Sequence, residues 1–597
     1  MRSRYLTFGL LTLLSASAAP AVQPATAPLA PEIRCERPLT TAQPRSDAGL
    51  AAAPADPVAY FRQRARILAL RGENRLAEAV PVAEAMVRQY ACDVWVWTQF
   101  GDALMAANRP ADAANAYVRA MEIGGPGTPA GVGYRLAVSH AAAGNRRAAM
   151  DVLEELVFRQ AYRDRSNLYS NPAFASLRTE PRFLAISGRI DTSSLSRNDG
   201  WRRDLDYLLE EIRRVHPFYR RLPLPAEFTR LEQALRRDIP RLSDEQIYVG
   251  FARLVASLRH GHTGMIPAIQ SARFPFTQLP LDLWAFPDGV YIVRAGAGAS
   301  DLVGGRLVAI ETTPALEVLR RVGEIHTRES GMEVLWSGPS LLRMAQILKG
   351  LGVTSRTDRI AVTVRLRSGQ TVRRELATVP MEPRPKLTPP PGVAPPLFLR
   401  NVPEFHWSER ISDNTLFVQL NQVQPDRDQS LAEFGLELRR ILREQPIRNV
   451  ILDLRHDNGG NTFLYTELLR TLVQFTADER NRLYVLIGRW TYSAAANLTT
   501  DLQRLARPIF VGEPTSATGN QFGDNALFAL PYSSLSVGIV AVTWQLSDPW
   551  DRRPVVTPHI PVQLTAEAYF AGRDPALETI RALIASGSVP AGDMDPR

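Results

Sequence analysis

The spacing of apolar residues changes several times along this chain, and each change predicts a different kind of element. From about 57 to 190, apolar and small residues recur every three to four positions, the period of amphipathic helices. The segment VWTQFGDALMAANRPADAANAYVRAMEIGG reads as helix, Asn-Arg-Pro turn and helix. GVGYRLAVSHAAAGNRRAAMDVLEELVFR repeats that plan around Gly144 and Asn145. A second helical block, 198–268, carries WRRDLDYLLEEIRRVHPFY and DEQIYVGFARLVASL at the same period. From 275 to 378 the pattern turns to short runs such as LPLDLWAF, GVYIVRA and IAVTVRLRSG between Gly and Asp turns, which predicts a β-rich element. A proline-dense stretch, 379–403, reads as a linker. From 404 to 588, apolar runs (TLFVQL, NVILDL, LYVLI) alternate with helix-period segments (LAEFGLELRRILREQ, TFLYTELLRTLVQF). That rhythm predicts an α/β domain with its sites at the C-terminal ends of the strands.

Length and composition refine the picture. A chain of 597 residues is too long for one core, so several domains are expected. Residues 1–19 begin with Arg2 and Arg4, continue in a short apolar run and end in small residues around Ala16-Ser17-Ala18, the pattern of a secretory signal peptide. Export to the periplasm or beyond the cell is therefore expected, with no membrane span elsewhere. Residues 20–56, rich in Pro and Ala, read as a disordered linker. In an oxidising compartment the two cysteines, Cys35 and Cys92, form one disulfide or stay as two thiols. The net charge of +9 comes from arginines interleaved with acids, without a basic run, so nucleic acid is not an expected partner. The helical repeat over 57–190 resembles tetratricopeptide repeats, whose stacked pairs form concave partner-binding surfaces; a plain helical bundle is the alternative.

Three segments carry candidate chemistry. In LYVLIGRWTYSAAANLTTDL a buried-strand pattern breaks at Gly488, and Ser493 stands where a helix opens. Serine there is either an N-cap or a nucleophile whose oxyanion is held by the amides of the helix start, Ala494 first. In ILDLRHDNGGNTF the strand ends at Gly459 and Gly460, either a tight turn or bare amides directed at an oxyanion. In LVASLRHGHTGM, His260 and His262 follow a helix; each is a structural histidine, a general base for a serine, or half of a metal site. The only lysines, Lys349 and Lys386, both precede the α/β region, so an activated Ser493 would use histidine as its base.

Taken together, DLRHDNGG, TYSAAAN, VGEPTSATGN, SLRHGHT and the closing TPHIPVQLTAEAYFAGRDPALE resemble the tail-specific (C-terminal processing) serine proteases, in particular the branch akin to the tricorn protease core. The resemblance runs from about 198 to 588. It implies a crotonase-like ββα-spiral core, a PDZ-like element over 275–378, Ser493 as nucleophile and His262 as base. It further implies an oxyanion hole from Gly459 or Gly460 with Ala494, polypeptide substrates, and no cofactor or metal. Four positions depart from the family pattern: His260 replaces Asp, Asp457 replaces Asn, Pro558-His559 replaces Pro-Asp, and Thr518 stands near where a lysine would fall. Asp551 and Glu513 are the candidates for an acid that orients His262. The departures keep two rivals open: an inactive peptide-binding scaffold and a metal-dependent hydrolase built on His260 and His262.

Overall fold

The computed structural model describes residues 57–125, 128–267, 274–382, 387–426 and 428–587. The expected signal peptide, the 20–56 linker, Cys35 and Lys386 lie outside the described residues. Among those described, no helix is long and apolar enough to cross a membrane. The chain divides into two compact units: residues up to Gln160 with Asn171–Phe183, and Ala161–Ser170 with everything from Leu184 onward. Residues Ala161–Ser170, within the expected 57–190 helical domain, belong to the second unit.

The first unit is helical. Successive helices Val94–Ala106, Pro110–Gly124, Ala130–Ala142 and Arg146–Glu154 pack neighbour on neighbour. Asp93 caps the first through Trp95 N and Val96 N, and Pro110 opens the second at a position that needs no N–H. The helix pair approaches closely because Gly101 has no side chain. A Cβ there would lie 2.5 Å from the Tyr117 ring, and the Tyr117 hydroxyl donates to Asp102 at 2.8 Å.

The second unit is built on a six-stranded sheet in the order His406–Ser412, Thr415–Leu420, Asn449–Asp453, Arg482–Ile487, Pro508–Gly512, Ile560–Pro561. The first pair is antiparallel and the remaining pairs are parallel. Period-two alternation sends Leu416, Val418, Val450, Leu452, Leu483 and Val485 to one face, against helices Leu431–Glu444 and Thr466–Thr476. Phe417, Ile451, Tyr484, Leu486 and Val511 take the other face, against helix Pro575–Ser586. Both faces being covered explains why these strands read as continuous apolar runs.

The 275–378 region, expected to be β-rich, is mixed. It holds an antiparallel sheet, Leu281–Phe286, Gly289–Ala295, Arg306–Ile310, Arg359–Arg365 and Thr371–Ala377, but also helices Ala315–Ile325, Met332–Leu341 and Ala345–Gly350. The proline-dense 379–403 stretch is not a free spacer either. Leu387, Phe398, Leu399 and Val402 are buried with Tyr569 and Phe570, and Gln419 donates to the Phe398 carbonyl at 3.0 Å. It pairs briefly with Thr277–Gln278 through Val379–Pro380, and beyond that its buried side chains and the hydrogen bonds to its carbonyls hold it in place.

Candidate active site

Two strand ends and one loop build the site. The turn after strand Asn449–Asp453 is anchored by Arg455, whose guanidinium grips Asp453 (2.6 and 3.0 Å) and Asp574 (2.8 and 2.9 Å) and lies over the Phe398 ring. Two buried carboxylates around one fork hold the guanidinium firmly protonated. The DLR and GRD segments of the sequence therefore meet in one ion-pair cluster. Beyond it, Gly459 and Gly460 take φ of +104° and +141°, and the Gly459 carbonyl accepts from Val423 N at 3.0 Å. A Cβ on Gly459 would lie 2.5 Å from Ser493 Cβ and 2.7 Å from Ala494 N, so only glycine lets this turn approach the serine.

Ser493 follows strand Arg482–Ile487 and precedes helix Ala494–Leu505. It occupies the cap position, yet its side chain makes no cap hydrogen bond. Its backbone sits at φ 53°, ψ −123°, a conformation L-residues rarely adopt and one that concentrates at functional sites. Gln521 pins the Ser493 carbonyl at 3.0 Å. Thr491 Oγ accepts from Gly488 N and donates to the Leu454 carbonyl, tying the two strand ends together.

The loop after helix Asp244–Ala256 delivers His262, with Asn525 donating to the His262 carbonyl at 3.2 Å. Nε2 of His262 lies 3.1 Å from Ser493 Oγ, across 231 positions of sequence. Its Nδ1 lies 2.7 Å from the Tyr492 hydroxyl, and the two rings stack. Burial pulls the His262 imidazole down to about 4, with the Asp524 carboxylate acting the other way. The ring is therefore neutral at pH 7, as a proton acceptor must be.

Of the remaining candidates, Ala494 N–H opens the helix facing Gly459, and no hydrogen bond is described for it or for Gly460 N–H. Gly459 N–H donates to Asp457 Oδ1 at 2.8 Å. Asp551 and Glu513 do not reach His262. Asp551 is paired with Arg553, which holds it down to about 2, and Glu513 is gripped by Arg489 at 2.6 and 2.8 Å. The hydroxyl of Tyr492 occupies the place expected of an acid. Tyr492 directly precedes Ser493 and carries no signal of its own in the sequence. His260 does not converge with His262 on a common ligand position: its Nδ1 meets Nε2 of His216 at 2.9 Å, and its ring packs on Phe522. Thr518 Oγ donates to main-chain carbonyls, His559 accepts from Phe510 N at 2.9 Å, and Lys349 pairs with Glu245. These three are structural. Beside His262 a cavity of about 490 Å³ opens, lined by Tyr248, Ile325, Met344, Ile347 and Met381.

No protein-family model matches the chain, and no curated protein does. Solved structures do. The chain is similar to mature CPAF complexed with lactacystin, at 13% identity over 65% of this chain and 98% of that one, with a TM-score of 0.47. It is similar to the photosystem II D1 C-terminal processing protease at 15% identity, over 63% and 98%, with a TM-score of 0.32. The tricorn protease matches at 10% identity, over 65% of this chain and 37% of that one, with a TM-score of 0.32. A C-terminal processing protease and the tricorn protease, the kinds that the sequence motifs resemble, are thus among the solved structures to which this chain is similar.

Proposed function

We infer that the chain is a serine-type endopeptidase that hydrolyses polypeptides through an acyl-enzyme on Ser493, with His262 as general base. The single observation that supports this most is the 3.1 Å approach of Ser493 Oγ to His262 Nε2, made by a serine in a strained backbone at a helix start. As Oγ attacks the scissile carbonyl carbon, its proton passes to Nε2, and the carbonyl oxygen takes up the negative charge. Ala494 N–H and one amide of the Gly459–Gly460 turn are the donors for that oxyanion, helped by the helix N-terminus. His262 then protonates the leaving amine, and a water repeats the sequence on the ester. The cavity beside His262 suits an apolar side chain of the substrate.

Export by residues 1–19 and docking of substrate or a protein partner on the tetratricopeptide-like helices belong to the same proposal, as do the crotonase-like core and PDZ-like element. One observation favours the rival reading of an inactive peptide-binding scaffold: Gly459 N–H is already engaged by Asp457, which leaves that oxyanion donor occupied. A fluorophosphonate probe separates the two. Stoichiometric labelling of the full chain, abolished by Ser493→Ala, is the expected result. Labelling that survives Ser493→Ala, or none in the parent, removes the peptidase reading.

A further inference from the structure

Helix Met332–Leu341, which the sequence pattern does not mark out, brings a carboxyl group beneath the site. Glu333 is 1% exposed. Its Oε1 accepts from Glu329 N (2.8 Å) and Ser330 N (3.2 Å). Its Oε2 turns toward Gly261 and Tyr492: a Cβ on Gly261 would lie 2.8 Å from Oε2 and 2.5 Å from the Tyr492 hydroxyl. Neighbouring Glu329 serves differently, its Oε1 accepting from Gly261 N and Phe522 N at 3.3 Å. The hydroxyl of Tyr492 is 2.7 Å from Nδ1 of His262 and lies in the field of the buried Glu333 carboxyl without a hydrogen bond to it.

That arrangement has a consequence for the imidazole proton. A neutral histidine carries one ring hydrogen, and Nε2 can accept the serine proton only when that hydrogen is on Nδ1. The Tyr492 hydroxyl bears on which, alongside a main-chain hydrogen bond from the ring to Phe522. If its O–H donates to Nδ1, the hydrogen is forced to Nε2 and the base is blocked. If its O–H donates elsewhere, its lone pair accepts from Nδ1–H and the base is ready. We propose that Glu333 is a positioning residue whose ionised carboxylate draws the Tyr492 hydroxyl hydrogen away from His262, holding the imidazole as the Nδ1–H tautomer. This rests on the serine peptidase reading. No proton leaves the Tyr492 oxygen in the process; the serine proton stops at Nε2, and Nδ1–H keeps donating to the phenol.

Protonating Glu333 would remove the pull, so the device is sensitive to pH. Burial raises Glu333 to about 8, with Glu329 pushing it up and Arg328 down, and raises Glu329 to about 7. Burial, with both carboxylates adding to it, raises Tyr492 well above the usual phenol range, so it stays a hydroxyl throughout. Around His262 itself, the charged neighbour is Asp524.

The test is the rate of fluorophosphonate labelling of the full chain between pH 5 and 9, for the parent, Glu333→Gln and Tyr492→Phe. The parent should slow on the order of 100-fold as pH falls through about 8 to 6, at the lower end of general-base effects. Glu333→Gln keeps an oxygen for the two amides but cannot ionise. It should label at the parent's low-pH rate throughout, with no step. Tyr492→Phe should lose the step as well. A Glu333→Gln variant that labels with the parent's rate and pH step overturns the proposal while leaving the serine reading intact; absence of Ser493 labelling in the parent overturns the serine reading. A measurement without variants covers the case of misfolding. In ¹⁵N-histidine-labelled protein, His262 should show the Nδ1–H tautomer at pH 9 and move toward Nε2–H near pH 6. A tautomer that does not change with pH contradicts the proposal.

Discussion

At the scale of residues, the site concentrates unusual backbone at the points of closest approach. Ser493 holds φ 53° without being glycine, which costs on the order of 1–3 kcal/mol. Ser493→Gly should therefore be more stable than Ser493→Ala by about 1 kcal/mol, as urea unfolding would show. Gly459→Ala meets the opposite problem, since its new methyl group would collide with the serine and with Ala494 N. Labelling of Ser493 in that variant should fall by a factor of about 100 or more, as for loss of an oxyanion donor. The sequence carried these three positions openly, because paired glycines at a strand end and a serine before a run of alanines are local signals. Tyr492 was hidden in plain view. A tyrosine before a helix reads as core, and only the fold shows that its hydroxyl meets an imidazole from 230 positions upstream.

At the scale of elements, the ion-pair cluster of Asp453, Arg455 and Asp574 binds the Gly459–Gly460 turn to the closing helix of the unit. Both carboxylates are buried, so Arg455→Met would leave two uncompensated charges. That variant should lose about 3–5 kcal/mol of unfolding free energy, measured in denaturant. The α/β rhythm of 404–588 was legible because each parallel strand is apolar on both faces and each helix has one apolar stripe. The helices at 315–350 were not legible as such. They are short and interrupted by Pro339, and their apolar residues merge with those of the flanking strands. The Glu333 device went unread for that reason. The packed course of 379–403 was equally hidden, since proline density signals extended chain but not whether that chain is solvated.

At the scale of the whole molecule, several buried groups hold protonation states that water would not give them. His216, His260 and His262 are pulled by burial to about 3, 4 and 4, so an unfolded chain takes up protons below about pH 6.5 that the folded chain refuses. Their stabilisation is complete above that pH and is lost as pH falls toward 4. Asp204, Glu329 and Glu333 are raised to about 6, 7 and 8, so the folded chain keeps protons that an unfolded chain has released. Their contribution is lost as pH rises through those values. Unfolding free energy of the Ser493→Ala protein should accordingly change little between pH 5 and 6 and decline from 6.5 to 8. The slope is at most about 1.4 kcal/mol per pH unit for each carboxyl, and Glu333→Gln should flatten it.

The distance in sequence between imidazole and hydroxyl has a further meaning for biosynthesis. A ribosome delivers His262 long before Ser493, and the glycine turn and its arginine clamp also emerge before the serine. No fragment that stops short of position 493 holds both halves of the pair, and Asp574 completes the clamp later still. If the pair acts as proposed, no nascent chain shorter than 493 residues can hydrolyse a peptide bond.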